Sequence, residues 1–290
     1  MFEAIKDRRM EGKTPLEQAR LVQIYLLDVF DEICKANGLK YWLMYGTLLG
    51  AERHRGFIPW DDDIDVGMEM SDYRKFQKIA PRCLPKTILL QCPGRLCKGN
   101  VKFIKLRDVY SFYCESGTNV AEPCGIFLDI FPFENVPAYP RRFSMMLYKY
   151  LFGAQRHRIL TLTRLRGSII CKELDLIASM GWWMLYQIGR LVWSLGRVVK
   201  SDVLGEVGAY QAVTFFERNW IFPLASCTFE GKQYPAPWNP DAVLTANFGD
   251  WRKLPPEEKR IWHASIIDAT HAPVASWARK WVGPCDRSKN

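Results

Sequence analysis

The sequence predicts an α/β (α+β) chain, a mixed β-sheet flanked by helices, and three observations predict it. A long helical periodicity opens the chain, short apolar strand-like runs follow it between about 39 and 131, and a stretch from about 141 to 199 is helical and basic with few strand signals. The expected organisation is a single domain over 1–290, its core at about 16–140 and 215–260 and a helical insertion at about 141–214.

The elements follow in order. From Pro15 to Ala36, Leu16, Ala19, Leu21, Ile24, Leu27, Val29, Phe30 and Ile33 recur at helical spacing, and Asn37-Gly38 supplies the stop. Leu39 to Tyr45 reads as a buried strand closed by Gly46-Thr47, and a helix can begin within Leu48 to His54. Gly56 to Trp60 is expected to be irregular, because Pro59 restricts the residue before it. Ser71 is a candidate N-cap for a helix ending before Pro81. Val101 to Arg107 and Ile126 to Phe131 read as strands. Beyond Pro223 the pieces Phe229-Glu230-Gly231, Pro235 to Trp238 and Phe248 to Trp251 read as ordered loops around short helices.

With 290 residues, 48% hydrophobic and 13% aromatic, the chain can bury a sizeable core and falls outside the composition of disordered proteins. A net charge of +9 points to a negatively charged partner: nucleic acid, an anionic membrane surface or a phosphate-bearing small molecule. No glycine-flanked aromatic motif, zinc finger or concentrated basic helix is present, so nucleic acid is not the expected partner. The first residues contain no apolar run of signal-peptide length, which makes a cytoplasmic location the expectation. Residues 174–199 mix Trp182, Trp183 and Tyr186 with Arg190 and Arg197 beside a large apolar face. They read either as a core helix of the insertion or as an interfacial helix touching the inner face of a membrane. Nine cysteines without regular spacing suit reduced thiols. The cluster Cys83, Cys92, Cys97, Cys114 and Cys124 raises a structural zinc site, although it has no Cys-x-x-Cys pair.

The chemistry concentrates in Trp60-Asp61-Asp62-Asp63-Ile64-Asp65-Val66. Run as a strand, Asp61, Asp63 and Asp65 share one face while Ile64 and Val66 take the other. Three carboxylates within about 7 Å, at roughly 3.3 Å per residue, raise one another's pKa values unless a cation sits among them. Hard oxygen ligands suit Mg²⁺ or Mn²⁺, which bind one or two carboxylates and leave other positions to water and phosphate. A solvated acidic turn is the plain alternative, but Phe57 to Trp60 and Ile64, Val66 and Met68 flank the run with apolar surface that favours burial. An EF-hand loop would fit the spacing of Asp61, Asp63, Asp65 and Asp72 but needs glycine where Val66 stands. Asp129, alone in Gly125-Ile126-Phe127-Leu128-Asp129-Ile130-Phe131-Pro132, must be compensated by a metal, by backbone hydrogen bonds or by a lysine or arginine.

Tyr45-Gly46-Thr47-Leu48-Leu49-Gly50-Ala51, Arg53-His54 and Gly56 through Met68 together resemble the LicD family of phosphotransferases, which includes fukutin and fukutin-related protein. Weaker matches lie at Lys105 to Asp108, Leu128 to Pro132, Phe229 to Gly231 and Phe248 to Trp251. The resemblance implies a nucleotidyltransferase-like fold in which a glycine-containing turn holds donor phosphates and an Asp-apolar-Asp pair binds metal. It makes Asp63 and Asp65 metal ligands, Asp129 the third carboxylate, and places Asp61 and Asp62 beside them. It also implies transfer of a phosphorylated alcohol from a CDP-activated donor, such as CDP-choline, to a glycan hydroxyl. Gly46, Thr47, Arg53, His54, Lys105 and Arg107 are the candidate donor contacts. A nucleotidyltransferase passing NMP to a small acceptor, and a non-catalytic glycan- or membrane-binding protein, are the competing readings.

Overall fold

The computed structural model describes residues 4–93, 103–115, 125–137, 169–196, 201–206, 214–260 and 264–270, together with 2, 139, 140, 142, 143, 146, 147 and 150. The chain forms two compact units, Met1–Phe133 with Asn219–Asn290, and Glu134–Arg218.

In the larger unit, helix α1 (Pro15–Ala36) starts at Thr14, whose hydroxyl accepts the Glu17 N–H, with Pro15 in the first turn where a missing N–H costs nothing. Its buried face is Ala19, Val22, Leu26, Phe30 and Ile33, stepping by three and four residues. Strand β1 (Trp42–Leu43), helix α2 (Tyr45–His54), strand β2 (Asp65–Glu69), helix α3 (Met70–Cys83) and strands β3 (Ile88–Gln91), β4 (Ile104–Asp108), β5 (Phe112–Glu115) and β6 (Phe127–Asn135) follow. The sheet runs β1-β2-β6-β4-β3, and only β2 and β6 are parallel within that series. The fold is mixed α/β.

In the smaller unit, helix α4 (Ile169–Gly196) precedes the antiparallel pair β7 (Val203–Glu206) and β8 (Phe215–Glu217). A short helix α5 (Arg218–Ile221) then returns the chain to the larger unit, where β9 (Ala225–Phe229) and β10 (Lys232–Ala236) form a hairpin. Helix α6 (Pro240–Phe248) follows, and β11 (Ala264–Asp268) pairs with β5.

The core of the larger unit is aromatic. Phe30 meets Tyr41 and Phe76 edge-on at 4.8 and 5.0 Å, and Trp42 packs against Phe133 and Phe222. Among the described residues, no helix is long and apolar enough to cross a membrane.

Three expectations change. The strand expected over 39–45 shrinks to β1, because Tyr45 adopts a left-handed φ of 46° and Gly46 and Thr47 open α2 instead of closing a strand. The acidic run is not a strand throughout: residues 61–64 are irregular and β2 begins at Asp65. Face alternation therefore does not place Asp61. Helix α3 begins one residue before Ser71, with Glu69 at the N-cap position, and continues through Pro81. A proline in the last turn removes few hydrogen bonds there.

Candidate active site

Asp65 is held at the mouth of the sheet by its own backbone. Its N–H donates to the buried Thr47 hydroxyl at 2.8 Å, and its carbonyl accepts the Met44 N–H at 3.0 Å. The start of α2 and the start of β2 are thus one construction, and the N–H groups of the first turn of α2, which lack intrahelical acceptors, open beside it. Parallel pairing of β2 with β6 sets Asp65 in register with Asp129, whose N–H donates to the Ile64 carbonyl at 2.9 Å. Antiparallel pairing on the other side of β6 sets Lys105 in register with Asp129.

Lys105 closes the group. Its ammonium lies 3.0 Å from Asp129 Oδ2 and 3.5 Å from the centre of the Phe127 ring, so it is fixed by an ion pair and a cation–π contact together. Asp129 Oδ1, on the same carboxylate, is buried without a hydrogen-bond partner among the described residues. Burial pushes the Asp129 carboxyl up to about 6. The Lys105 ammonium and Arg107 oppose the rise, and Asp63 adds to it. Asp65 is driven well above the usual carboxylate range by burial first, then by Asp63, Asp129 and Asp61, with Lys105 again opposing. Asp61, Asp63, Asp65 and Asp129 therefore share one negative field, opposed by Lys105 and, at Asp129, by Arg107 as well.

The loop carrying Asp61 is pinned from two directions. The Arg20 guanidinium of α1 donates to the carbonyls of Ile58, Pro59 and Asp61 at 2.8, 3.0 and 2.8 Å and lies over the Phe57 ring. Glu230, at the turn of the β9–β10 hairpin, accepts the Phe57 N–H at 2.9 Å and donates its own N–H to the Arg55 carbonyl. At two glycines a side chain would have to push a carboxylate aside. A Cβ on Gly56 would lie 2.1 Å from Glu230 Oε1, and one on Gly46 would lie 2.8 Å from Asp61 Oδ2. Gly46 thus lets the Asp61 carboxylate close onto the first turn of α2.

The remaining expected site residues are placed elsewhere. Asp62 is fully buried, its Oδ2 accepts the Ala264 N–H of β11 at 3.0 Å, and its carbonyl accepts from Gln23 at 2.6 Å. It ties the acidic run to the end of the fold. Arg53 donates to the Trp251 carbonyl at 3.0 Å and to His54 Nε2 at 3.0 Å, and burial and Arg53 hold the His54 pKa down, so the imidazole is a neutral acceptor. Arg107 donates to Gln91 Oε1 at 2.6 Å and to the Gly125 carbonyl at 2.8 Å. Of the three basic residues expected to contact phosphate, Lys105 alone bonds a carboxylate of the cluster. Arg20 and Glu230 were not anticipated. The run Phe229-Glu230-Gly231 drew notice in the sequence, but nothing there told which backbone its carboxylate would reach.

Asp108 is a second buried carboxylate, matched by Arg9 in a bidentate pair at 2.7 and 3.0 Å, and Arg9 also donates to the Ala269 carbonyl. The pair joins the N-terminal segment, β4 and the end of β11 behind the site.

Of the cysteines considered for zinc, Cys97 and Cys124 lie outside the described residues, and Cys83, Cys92 and Cys114 are grouped in no metal site among the described residues. Among the described residues, no group of three or more His, Cys, Asp or Glu side chains is arranged to hold a metal ion. The carboxylate cluster is instead an open set. The unpartnered Asp129 Oδ1 and the mutually repelling Asp63 and Asp65 suit a hard cation that takes its other ligands from water or substrate.

Residues 38–165 match the family model described as LicD/FKTN/FKRP, nucleotidyltransferase domain. Over this stretch the chain is similar to the LicD-family nucleotidyltransferase domain. It is 28% identical over 273 residues to the lipopolysaccharide cholinephosphotransferase LicD of Haemophilus influenzae, covering 87% of this chain and 96% of that one. A 40-residue stretch is 50% identical to the ribitol 5-phosphate transferase FKRP of Homo sapiens, which is 14% of this chain and 8% of FKRP. A 98-residue stretch is 38% identical to the uncharacterized protein RP689 of Rickettsia prowazekii, covering 33% of this chain and 35% of that one. The LicD-family match encloses α2, β2, β4 and β6, so every carboxylate of the cluster, and Lys105, belongs to it.

Proposed function

We propose that this LicD-family chain is a phosphotransferase that moves a phosphorylated alcohol, phosphocholine or an alditol phosphate, from a CDP-activated donor to a hydroxyl of a glycan or its lipid-linked precursor. The observation that carries the reading is the in-register pair Asp65 and Asp129, buried together with one carboxylate oxygen left unpartnered, inside a domain shared with a cholinephosphotransferase and a ribitol 5-phosphate transferase. Asp65, Asp129 and Asp63 would hold Mg²⁺ or Mn²⁺, with Asp61 at the rim. When bound, the ion neutralises charge on the donor's diphosphate and on the departing CMP.

The chain's own groups do the rest. The first turn of α2 offers N–H groups to a phosphate oxygen, and Gly46 keeps that approach free of a side chain. Thr47 fixes the Asp65 backbone, and through it the carboxylate. Lys105, sited between β6 and the rings of Phe103 and Phe127, is positioned to pair with donor phosphate as it pairs with Asp129. Asp129, or Asp63 through the metal, would accept the acceptor hydroxyl's proton. A cytoplasmic location belongs to the same proposal.

A thermal-shift screen of CDP-choline, CDP-ribitol, CDP-glycerol and CMP, each with Mg²⁺, Mn²⁺ or chelator, tests the reading. One CDP-alcohol should raise the melting temperature above CMP, only with metal, and Asp63→Ala with Asp65→Ala should abolish the shift. Equal shifts in chelator would refute metal-assisted donor binding.

A further inference from the structure

The smaller unit carries a feature that phosphoryl transfer does not use. On α4, Met180, Met184, Ile188, Leu191 and Leu195 are each 55–59% exposed. At about 100° per residue they fall within an arc of roughly 80° on the helix surface. Trp183 flanks the stripe and is itself exposed. The opposite face packs inward: Gly189 is buried, Trp182 and Tyr186 are half-buried, and Val192 packs against the cluster of Val136, Leu147 and Phe215. Tyr139 anchors that side by donating to the Val192 carbonyl at 2.9 Å. A continuous stripe of large apolar side chains at this exposure marks a surface that meets something else.

Charge selects the occupant. Residues 134–218 hold twelve Lys and Arg against six Asp and Glu, out of 40 and 31 in the chain, so this unit supplies +6 of the net +9. From Leu176 to Ser201 there is no acidic residue, while Arg190, Arg197 and Lys200 are present. Arg190 is exposed beside the stripe, over the Tyr186 ring at 5.8 Å. A second copy of the chain would bring two such basic units together, whereas an anionic bilayer complements both the apolar stripe and Arg190 beside it. Tryptophan at the edge of the stripe is the residue type that settles at the headgroup level.

We propose that the outer face of α4 is a membrane-docking surface that lies in the interface of an anionic lipid bilayer, its apolar stripe inserted and Arg190 at the phosphates. No described helix can span a bilayer, so the attachment is peripheral.

The test uses the full chain and vesicles of phosphatidylcholine alone or with phosphatidylglycerol. The wild type should float with phosphatidylglycerol-containing vesicles and not with phosphatidylcholine alone, release in high salt, and show a blue shift of tryptophan emission on binding. Ile188→Glu with Leu191→Glu alters only exposed positions, so circular dichroism and melting temperature should be retained while vesicle affinity falls by on the order of tenfold or more. Arg190→Glu should weaken binding and flatten its salt dependence. Failure of the wild type to bind phosphatidylglycerol vesicles at low salt overturns the proposal, whether or not the variants fold. So does unchanged binding by the folded double variant, or a dimer without vesicle affinity that the same two substitutions dissociate.

Discussion

Replacing Asp129 by Asn reads the electrostatics of the carboxylate pair directly. Burial lifts this group from 3.8 to about 6, and Lys105 only partly opposes the lift. A carboxyl with a raised pKa binds its proton more tightly in the folded state than in the unfolded one. Its contribution to stability is therefore fully present below the unfolded value and is lost as pH rises through about 6. A shift of about two units at about 1.36 kcal/mol each makes that loss on the order of 3 kcal/mol. Asparagine does not titrate, so in chelator the variant's unfolding free energy, minus that of the wild type, should climb by about 3 kcal/mol between roughly pH 4 and pH 7. The Lys105 left without its carboxylate adds an offset at every pH in this window and does not enter the slope. Urea titrations of both proteins across the range measure the difference. Parallel profiles would refute the claim that Asp129 is ionised at a cost.

Three further substitutions test the scaffold. Arg9→Met should destabilise by about 3–5 kcal/mol in urea titrations, because Asp108, fully buried, is left as an uncompensated charge. Thr47→Val conserves shape but removes the acceptor for the Asp65 N–H. It should cost about 1–3 kcal/mol and lower kcat more than it lowers stability-limited expression, as seen by steady-state assay of purified protein. Gly56→Ala drives a methyl into Glu230 Oε1 and should release the loop carrying Asp61, while Gly56→Ala with Glu230→Ala should recover part of the loss in melting temperature.

Periodicity and capping made α1 legible, down to its N-terminal proline, because both act within a few residues of chain. The choice of Asp63 and Asp65 over Asp62 was reached through an alternation that the run does not follow: residues 61–64 are irregular, and Asp62 turns away because β11 supplies it an amide. Asp129 could be recognised as a costly charge needing a partner, and pairing with a lysine was among the answers. That Lys105 is that lysine depends on the antiparallel register of β4 with β6, which no local pattern encodes. Arg53 and Arg107 read as phosphate contacts by residue type, yet Arg53 donates to the Trp251 carbonyl and Arg107 to Gln91 and Gly125, partners that no local pattern names. Arg20 lies on the intermediate face of α1 and reads as a solvated arginine until the loop over it is seen. The glycines are the opposite case: Gly46 and Gly56 stand in the motif because side chains crowd them, a constraint that is local to the site.

The most direct measurement supplies the purified chain with Mg²⁺, its glycan acceptor and a CDP-alcohol labelled separately in the cytidine and in the alcohol, and weighs the products by mass spectrometry. The alcohol label and one phosphate should pass to the acceptor, CMP should be released, and Asp65→Asn should abolish both. Cytidine label retained on the acceptor, or transfer undiminished in Asp65→Asn, would contradict this mechanism.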